Sequence, residues 1–116
     1  PESLLPLAID TPVNALPVGP RRQLEVARAA LQQPVLLVLD EPSAGLTPVE
    51  KKDLARNIGA LAVGGAGVLL VEHDMAFLFA LATRIVCLVE GRVIADGAPA
   101  AVRTNPAVLR AYLGDP

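Results

Sequence analysis

The sequence predicts an α/β fold, a parallel sheet flanked by helices with a β-hairpin at its late edge. Two short apolar runs, Val35 to Leu39 and Val68 to Val71, are separated by a helical pattern. Runs of this kind that alternate with helices are typical of buried parallel strands. The pair Glu90-Gly91 lies between two further apolar runs, and an X-Gly pair in that position indicates a hairpin.

Local signals define the elements of the first half in chain order. Residues 1–16 are proline-rich and predict a loop. Gly19-Pro20 opens a helix, because proline suits the first helical position, and Pro34 ends it. Thr47-Pro48-Val49-Glu50 has the form of a capping box that starts a second helix. Gly64-Gly65 ends that helix before the second strand.

The second half continues the pattern with shorter elements. Asp74 is predicted to cap a third helix, and Asn105-Pro106 to begin the last one. Residues 85–89 and 93–95 are the predicted strands of the hairpin. The predicted apolar faces of the three earlier helices are Leu24, Ala27 and Leu31, then Leu54, Ile58 and Leu61, then Phe77 and Leu81.

Composition excludes several classes of function. The 116 residues suffice for one modest domain, and 10 basic against 12 acidic side chains leave no basic stripe. We therefore expect no nucleic-acid partner. No apolar stretch approaches the length of a membrane span, so we expect no direct membrane insertion. The single cysteine, Cys87, lies in an apolar run and is predicted to be an inert core residue.

Charged side chains follow the first two predicted strands. Asp40 and Glu41 end the first strand, and His73 follows the second. Because the carboxyl ends of parallel strands meet at one edge of a sheet, these three residues are predicted to lie together. Two carboxylates there can hold a metal ion and polarise water, and a histidine can orient that water. The alternative is a turn with solvated carboxylates and a surface histidine.

A third candidate site is the start of the first helix. Backbone N–H groups at a helix start attract anions, and Gly19 allows a phosphate to approach closely. The alternative is that Gly19-Pro20 only starts the helix.

Taken together, these segments resemble the ATPase subunits of ABC transporters. Leu16 to Leu31 resembles the signature motif, Leu39 to Leu46 resembles Walker B and the D-loop, and Val71 to Met75 resembles the switch-histidine loop. The segments 91–97 and 111–114 resemble the branched-chain amino-acid (or amide) importer branch. The similarity covers about residues 12–116, and four motifs in the family's order are together highly specific.

The resemblance implies that residues 1–116 form the C-terminal part of a P-loop NTPase-type nucleotide-binding domain. Asp40 would support Mg²⁺ through water, Glu41 would be the catalytic base, and His73 would sense the γ-phosphate of ATP. Val18 and Gly19 would contact ATP on the opposite subunit. Gly45, Leu46 and Thr47 would form the D-loop, which couples the two sites.

The same resemblance implies the partners and the location. The chain would pair with a second ABC ATPase subunit and drive transmembrane permease subunits. It would act on the cytoplasmic face of the cell membrane, as a peripheral subunit of an importer for branched-chain amino acids or related solutes.

The sequence departs from the family at several positions. It contains no Gly-x-x-x-x-Gly-Lys-Ser/Thr (Walker A) loop, and its only lysines are Lys51 and Lys52. We therefore expect that the chain does not hydrolyse ATP by itself. Pro17 and Pro20 stand where serine and glutamine are usual, and Thr47 stands where the family has an acid or asparagine.

Two other functions are open at this point. The chain could be a non-catalytic module, partner-dependent or vestigial, that lacks its own ATP site and lends only its signature surface. The absent Walker A loop and Pro17 favour that hypothesis. An ABC-type ATPase acting on DNA would carry long coiled-coil or clamping insertions and basic surfaces, which this sequence lacks.

Overall fold

The computed structural model describes residues 10–112, which form an α/β structure in two compact units that divide after Ala80. The predicted fold class, with a parallel sheet, flanking helices and a late hairpin, is confirmed. After a short 3-10 helix at Val13–Ala15, the elements are α1 Val18–Leu31, β1 Leu36–Asp40, α2 Pro48–Val63, β2 Gly67–Val71, α3 Met75–Leu81, β3 Ile85–Val89, β4 Arg92–Gly97, α4 Pro99–Arg103 and α5 Pro106–Tyr112.

Strands β1 and β2 pair in parallel, with Leu36 opposite Gly67 and Asp40 opposite Val71. One face of this pair packs towards α2 and includes the buried Leu37. The opposite face is half-exposed, and it carries Leu36, Val38, Leu69 and Val71. The prediction that these strands are buried is wrong for this face, because an unbroken apolar run does not distinguish cover on one face from cover on both.

Helix α1 begins earlier than predicted. Its first residue is Val18, with Pro17 at the N-cap, so Pro20 is the third helical residue and not the first. A proline is tolerated there because the first four N–H groups of a helix have no partner within it. The buried positions on this helix include Val26 and Ala27, whereas Leu31, which we predicted to be part of the apolar face, is 78% exposed.

Helix α2 follows its sequence signals closely. Thr47 caps it with Pro48 at the first helical position, and both bonds of the capping box with Glu50 form. Leu54 and Ile58 are almost completely buried, as the predicted apolar stripe requires. The helix ends at Val63, where two glycines follow it.

The second unit is built on the hairpin. Glu90 and Gly91 have φ angles of 50° and 77°, the left-handed conformations that a tight two-residue turn needs. In the described part of the chain, β3 and β4 form a two-stranded antiparallel sheet. Cys87 is buried in this sheet as predicted, and burial raises the pKa of its thiol.

Two helices pack against strand β4 of this unit. The sequence prediction missed α4, which begins at Pro99 and spans only five residues. It did identify α5, where Oδ1 of Asn105 accepts a hydrogen bond from the Ala107 N–H at 2.8 Å. The predicted segment 111–114 extends beyond the described residues at 113 and 114, and most of the predicted loop 1–16 also lies outside them. No helix among residues 10–112 has the length and apolar character to cross a membrane.

Candidate functional site

The carboxyl ends of β1 and β2 bring two of the predicted site residues into contact. Nδ1 of His73 lies 2.9 Å from Oε1 of Glu41. The contact is open to solvent, since 50% of the Glu41 side chain and 70% of the His73 side chain are exposed. Both groups can therefore reach water and a bound substrate without any rearrangement of the core.

The backbone of Glu41 has an unusual conformation. Its φ of 48° lies in the left-handed region, which costs a non-glycine residue about 1–2 kcal/mol. Its N–H donates to the Val71 carbonyl at 2.7 Å, and its own carbonyl accepts from the Ala44 N–H at 3.2 Å. These bonds hold the chain in a sharp turn that directs Glu41 towards His73. Strained residues of this kind cluster at functional sites.

The contact between the two side chains restricts where the proton of His73 can be. An ionised carboxylate only accepts hydrogen bonds, so Nδ1 must carry a proton while it contacts ionised Glu41. A neutral imidazole has one ring proton, and its Nε2 is then an acceptor. His73 can donate from Nε2 only when the ring is protonated or when Nδ1 has left Glu41.

Asp40 is the last residue of β1, opposite Val71, and its side chain is exposed. Among residues 10–112, no group of three or more His, Cys, Asp or Glu side chains is arranged to hold a metal ion. Mg²⁺ commonly takes one or two carboxylates and completes its shell with water and substrate phosphates. Asp40 fits such a partial contribution to a magnesium shell.

The loop after Glu41 carries the predicted D-loop residues. Gly45 has a φ of 77°, which favours glycine, and a Cβ there would lie 3.6 Å from Cγ1 of Val18. Leu46 is buried. Oγ1 of Thr47 accepts from the Glu50 N–H at 3.2 Å, so this hydroxyl is already occupied in the capping box.

The start of α1 is closed on one side by a carboxylate. Gly19 is buried, and a Cβ at this position would overlap the side chain of Glu50. Pro17, at the N-cap, makes no side-chain capping bond. A side chain at this position would displace the Glu50 carboxylate, whereas contact of Gly19 with a phosphate remains a prediction.

A residue that the sequence analysis passed over connects two loops of this region. Oε2 of Glu72 accepts from the Ser43 N–H at 3.0 Å, and Oε1 accepts from the His73 N–H at 3.2 Å. Ser43 is only 2% exposed. The register could have revealed Glu72, because it follows Val71, the partner of Asp40, and so stands opposite Glu41.

Asp74 fixes the start of α3, as predicted. Its Oδ1 accepts from the Phe77 N–H at 3.0 Å, and its Oδ2 pairs with Nζ of Lys51. The hydrogen bond from Lys51, with a second from the Phe77 N–H, holds the pKa of Asp74 below its usual value. The residue after His73 is thereby tied to α2.

Replacing Asp74 with alanine is expected to lower the free energy of unfolding by about 1–2 kcal/mol, because the cap and the Lys51 pair are both lost. The pKa of Asp74 is lowered from 3.8, so its stabilising effect is complete above that value and disappears as the pH falls through the folded-state pKa. Urea unfolding should therefore give a larger difference between the two proteins at neutral pH than at about pH 3.

The matched control for this measurement is Asp53→Ala, since Asp53 pairs with Arg56 at an exposed position on α2. Surface pairs of this kind contribute little, so this variant should stay within about 0.5 kcal/mol of the parent protein. If the difference in unfolding free energy between Asp74→Ala and the parent protein did not change with pH, the stabilising role assigned to ionised Asp74 would be contradicted.

The predicted site residues thus fall into two groups. The first, at the carboxyl edge of the parallel strands, is Asp40, Glu41 and His73. The second, at the start of α1 and in the loop before α2, is Val18, Gly19, Gly45, Leu46 and Thr47. Glu72 links the switch-histidine segment to Ser43, in the loop that leads to the second group.

The chain is similar in sequence to known transport ATP-binding proteins. Residues 92–116 match the family model "Branched-chain amino acid ATP-binding cassette transporter". The protein is 44% identical to the high-affinity branched-chain amino acid transport ATP-binding protein BraF of Pseudomonas aeruginosa, over 88% of this chain and 40% of the relative. It is 36% identical to the lipopolysaccharide export system ATP-binding protein LptB of Acidithiobacillus ferridurans, over 91% of this chain and 44% of the relative.

Solved structures give the same picture of the fold. An ATP-binding cassette of an ABC transporter in its ADP conformation superposes with a TM-score of 0.77 at 27% identity, over 87% of this chain and 41% of that one. A nucleotide-free cassette superposes with a TM-score of 0.78 at 26% identity, over 87% and 42% of the two chains. The chain therefore spans about two fifths of the length of the relatives it matches.

Proposed function

Because the chain belongs to the family of ABC transporter ATP-binding proteins, we propose that it is part of the ATP-hydrolysing subunit of an importer for branched-chain amino acids or related solutes. The observation that carries this proposal is the 2.9 Å contact between Glu41 and His73 at the carboxyl edge of the parallel strands. An acid and an imidazole held together at that edge are suited to activate water against a phosphate.

In this proposal Glu41 is the general base. Its carboxylate is half-exposed and takes a proton from the water that attacks the γ-phosphate of ATP. A base needs to lie within hydrogen-bond reach of the water, directly or through one other water molecule. The left-handed turn at Glu41 fixes its backbone for that task, and Pro42, which follows it, is buried.

His73 orients the terminal phosphate in the same step. Nε2 is the ring atom that is not in contact with Glu41, and it donates to a phosphate oxygen. The contact between Nδ1 and Glu41 adds a condition to this role. Either the imidazole is protonated when ATP is bound and keeps its contact with Glu41, or the imidazole is neutral and ATP binding separates Nδ1 from Glu41.

Asp40 would hold the water shell of Mg²⁺, which when bound neutralises charge on the phosphates. The exposed position of its carboxylate, one residue before Glu41, supports this assignment. The site also needs a phosphate-binding loop and its lysine, which these 116 residues do not contain. We propose that the complete polypeptide supplies them.

Val18 and Gly19 would contact ATP that is bound to a second ATPase subunit, and Gly45, Leu46 and Thr47 would couple the two sites. The position of Gly45 supports this, because a Cβ there would lie 3.6 Å from Cγ1 of Val18 and the signature segment is therefore next to the D-loop within one chain. The hydroxyl of Thr47 caps α2. Thr47 would therefore contribute to this coupling through its place in the loop and not through its side chain. The subunits would bind permeases on the cytoplasmic face of the membrane.

Uptake of a branched-chain amino acid tests the transport part of this proposal. Cells that depend on the complete polypeptide should lose uptake of radiolabelled leucine when Glu41 is replaced by glutamine. Cells with the control variant Asp53→Asn, a change at an exposed position, should keep leucine uptake. Leucine uptake that is unaffected by Glu41→Gln, with the variant present at the normal level, would contradict the proposal.

A further inference from the structure

We propose that Glu72 is a positioning residue for hydrolysis, which sets the geometry of Glu41 and His73 by tying their two loops together. The inference rests on the proposed function and goes beyond it, because the proposed function gives Glu72 no role. Its carboxylate acts on the backbone of the residues that carry the site.

Both oxygens of the Glu72 carboxylate are used, and they serve different loops. Oε2 accepts the N–H of Ser43, two residues after Glu41, at 3.0 Å. Oε1 accepts the N–H of His73 at 3.2 Å and lies 3.4 Å from the N–H of Asp74. One side chain therefore joins the loop that follows β1 to the loop that follows β2.

The Glu41–His73 contact needs such support. Both side chains are at least half-exposed, and an exposed pair of this kind contributes only about 0–1 kcal/mol, too little to fix two loops by itself. The ladder between the strands continues only to the bond from the Glu41 N–H to the Val71 carbonyl. Beyond that bond, the described link between the two loop backbones is made by Glu72.

Ser43 gives the link a rigid attachment. It is 2% exposed, so its N–H lies in the protein interior and needs a hydrogen-bond partner. Pro42 next to it is also buried. On the other side, Asp74 is anchored by Lys51 and by the start of α3. Glu72 thus joins two fixed points, and Glu41 and His73 lie next to them.

Steady-state hydrolysis by the complete transporter tests the proposal, with Glu72→Gln and Glu72→Ala beside the parent protein. Alanine removes all three hydrogen bonds to the carboxylate, and we expect kcat to fall about 10- to 100-fold, because a misplacement of about 1 Å can cost that much. KM for ATP should change less than about 3-fold, since the phosphate-binding loop and its lysine lie outside these residues. Glutamine keeps one carbonyl oxygen, so it should give a smaller loss.

Amide hydrogen exchange in the protein without nucleotide provides the second measurement. Exchange at Ser43 and His73 should accelerate in Glu72→Gln, whereas exchange in the core of α2, at Leu54, should be unchanged. A loss of global stability would instead accelerate exchange at all three amides. The control variant Asp53→Ala should alter neither exchange at these amides nor kcat.

The outcomes separate this inference from the function on which it rests. A folded Glu72→Ala variant with the kcat of the parent protein, in a preparation whose hydrolysis does depend on Glu41, would overturn the role of Glu72 alone. Hydrolysis that does not depend on Glu41 would overturn the proposed function, while the exchange data would still report on the Glu72 link. A fall in kcat that accompanies an equal rise in KM would also overturn the positioning role.

Discussion

Replacing Glu41 with glutamine is expected to lower ATP turnover by the complete polypeptide by at least about 100-fold, the usual contribution of a general base. Glutamine has nearly the same shape, so the turn held by the Val71 carbonyl should persist. It cannot accept the proton of the attacking water. ATP binding should therefore remain within about 3-fold of the parent value while turnover is lost.

The measurement is phosphate release at saturating ATP, with nucleotide affinity determined separately by equilibrium binding. Asp53→Asn, an exposed acid-to-amide change on α2, is the matched control and should hydrolyse ATP at the parent rate. Turnover by Glu41→Gln within a factor of about 3 of the parent protein would exclude Glu41 as the base.

Replacing His73 with alanine is expected to reduce turnover by about 100-fold, which is typical when one donor to a developing charge is removed. His73 and Glu41 share one contact, so the variant also leaves the Glu41 carboxylate without its nearest described partner. The loss should appear in kcat and not in KM, because the phosphate-binding loop and its lysine lie outside these residues.

Two further variants show which ring nitrogen matters. The amide nitrogen of glutamine can take the place of Nε2, and that of asparagine the place of Nδ1. If Nε2 donates to the phosphate, His73→Gln should recover part of the lost kcat, and His73→Asn should not. Equal recovery by both, or recovery by asparagine alone, would contradict the role assigned to Nε2.

The position of this pair could be predicted from the sequence, because it depends on a general property of parallel strands. Two apolar runs separated by a helix pair in parallel, and residues that follow them reach the same edge. Asp40 opposite Val71 then brings Glu41 beside the segment that carries His73. The capping box at Thr47 can also be predicted from the sequence, because its two bonds join residues only three positions apart.

Other features depend on contacts between distant residues and could not be predicted in this way. The register places Glu72 opposite Glu41, but the sequence does not indicate its bond to Ser43, 29 positions away. The sequence also does not indicate that Glu50 fills the space beside Gly19. Gly19 was considered only as a phosphate contact or a helix start.

Local patterns also failed where an element is short or covered on one side. Helix α4 has five residues, fewer than two turns, so it carries no periodicity that would separate it from a loop. The apolar run of β1 predicted a buried strand, yet Leu36 and Val38 are more than half exposed. The composition of a strand indicates its apolar character, but it does not indicate which neighbouring elements cover each face of the strand.

The most direct test of the central claim, that Glu41 and His73 act as one unit in ATP hydrolysis, is a double-mutant cycle in kcat. Turnover is measured for the parent polypeptide, Glu41→Gln, His73→Ala and the double variant. Groups that act as a unit are strongly non-additive, so the double variant should be about as slow as the slower single variant. A double variant slowed by the full product of the two single losses, or hydrolysis that needs neither residue, would contradict the account.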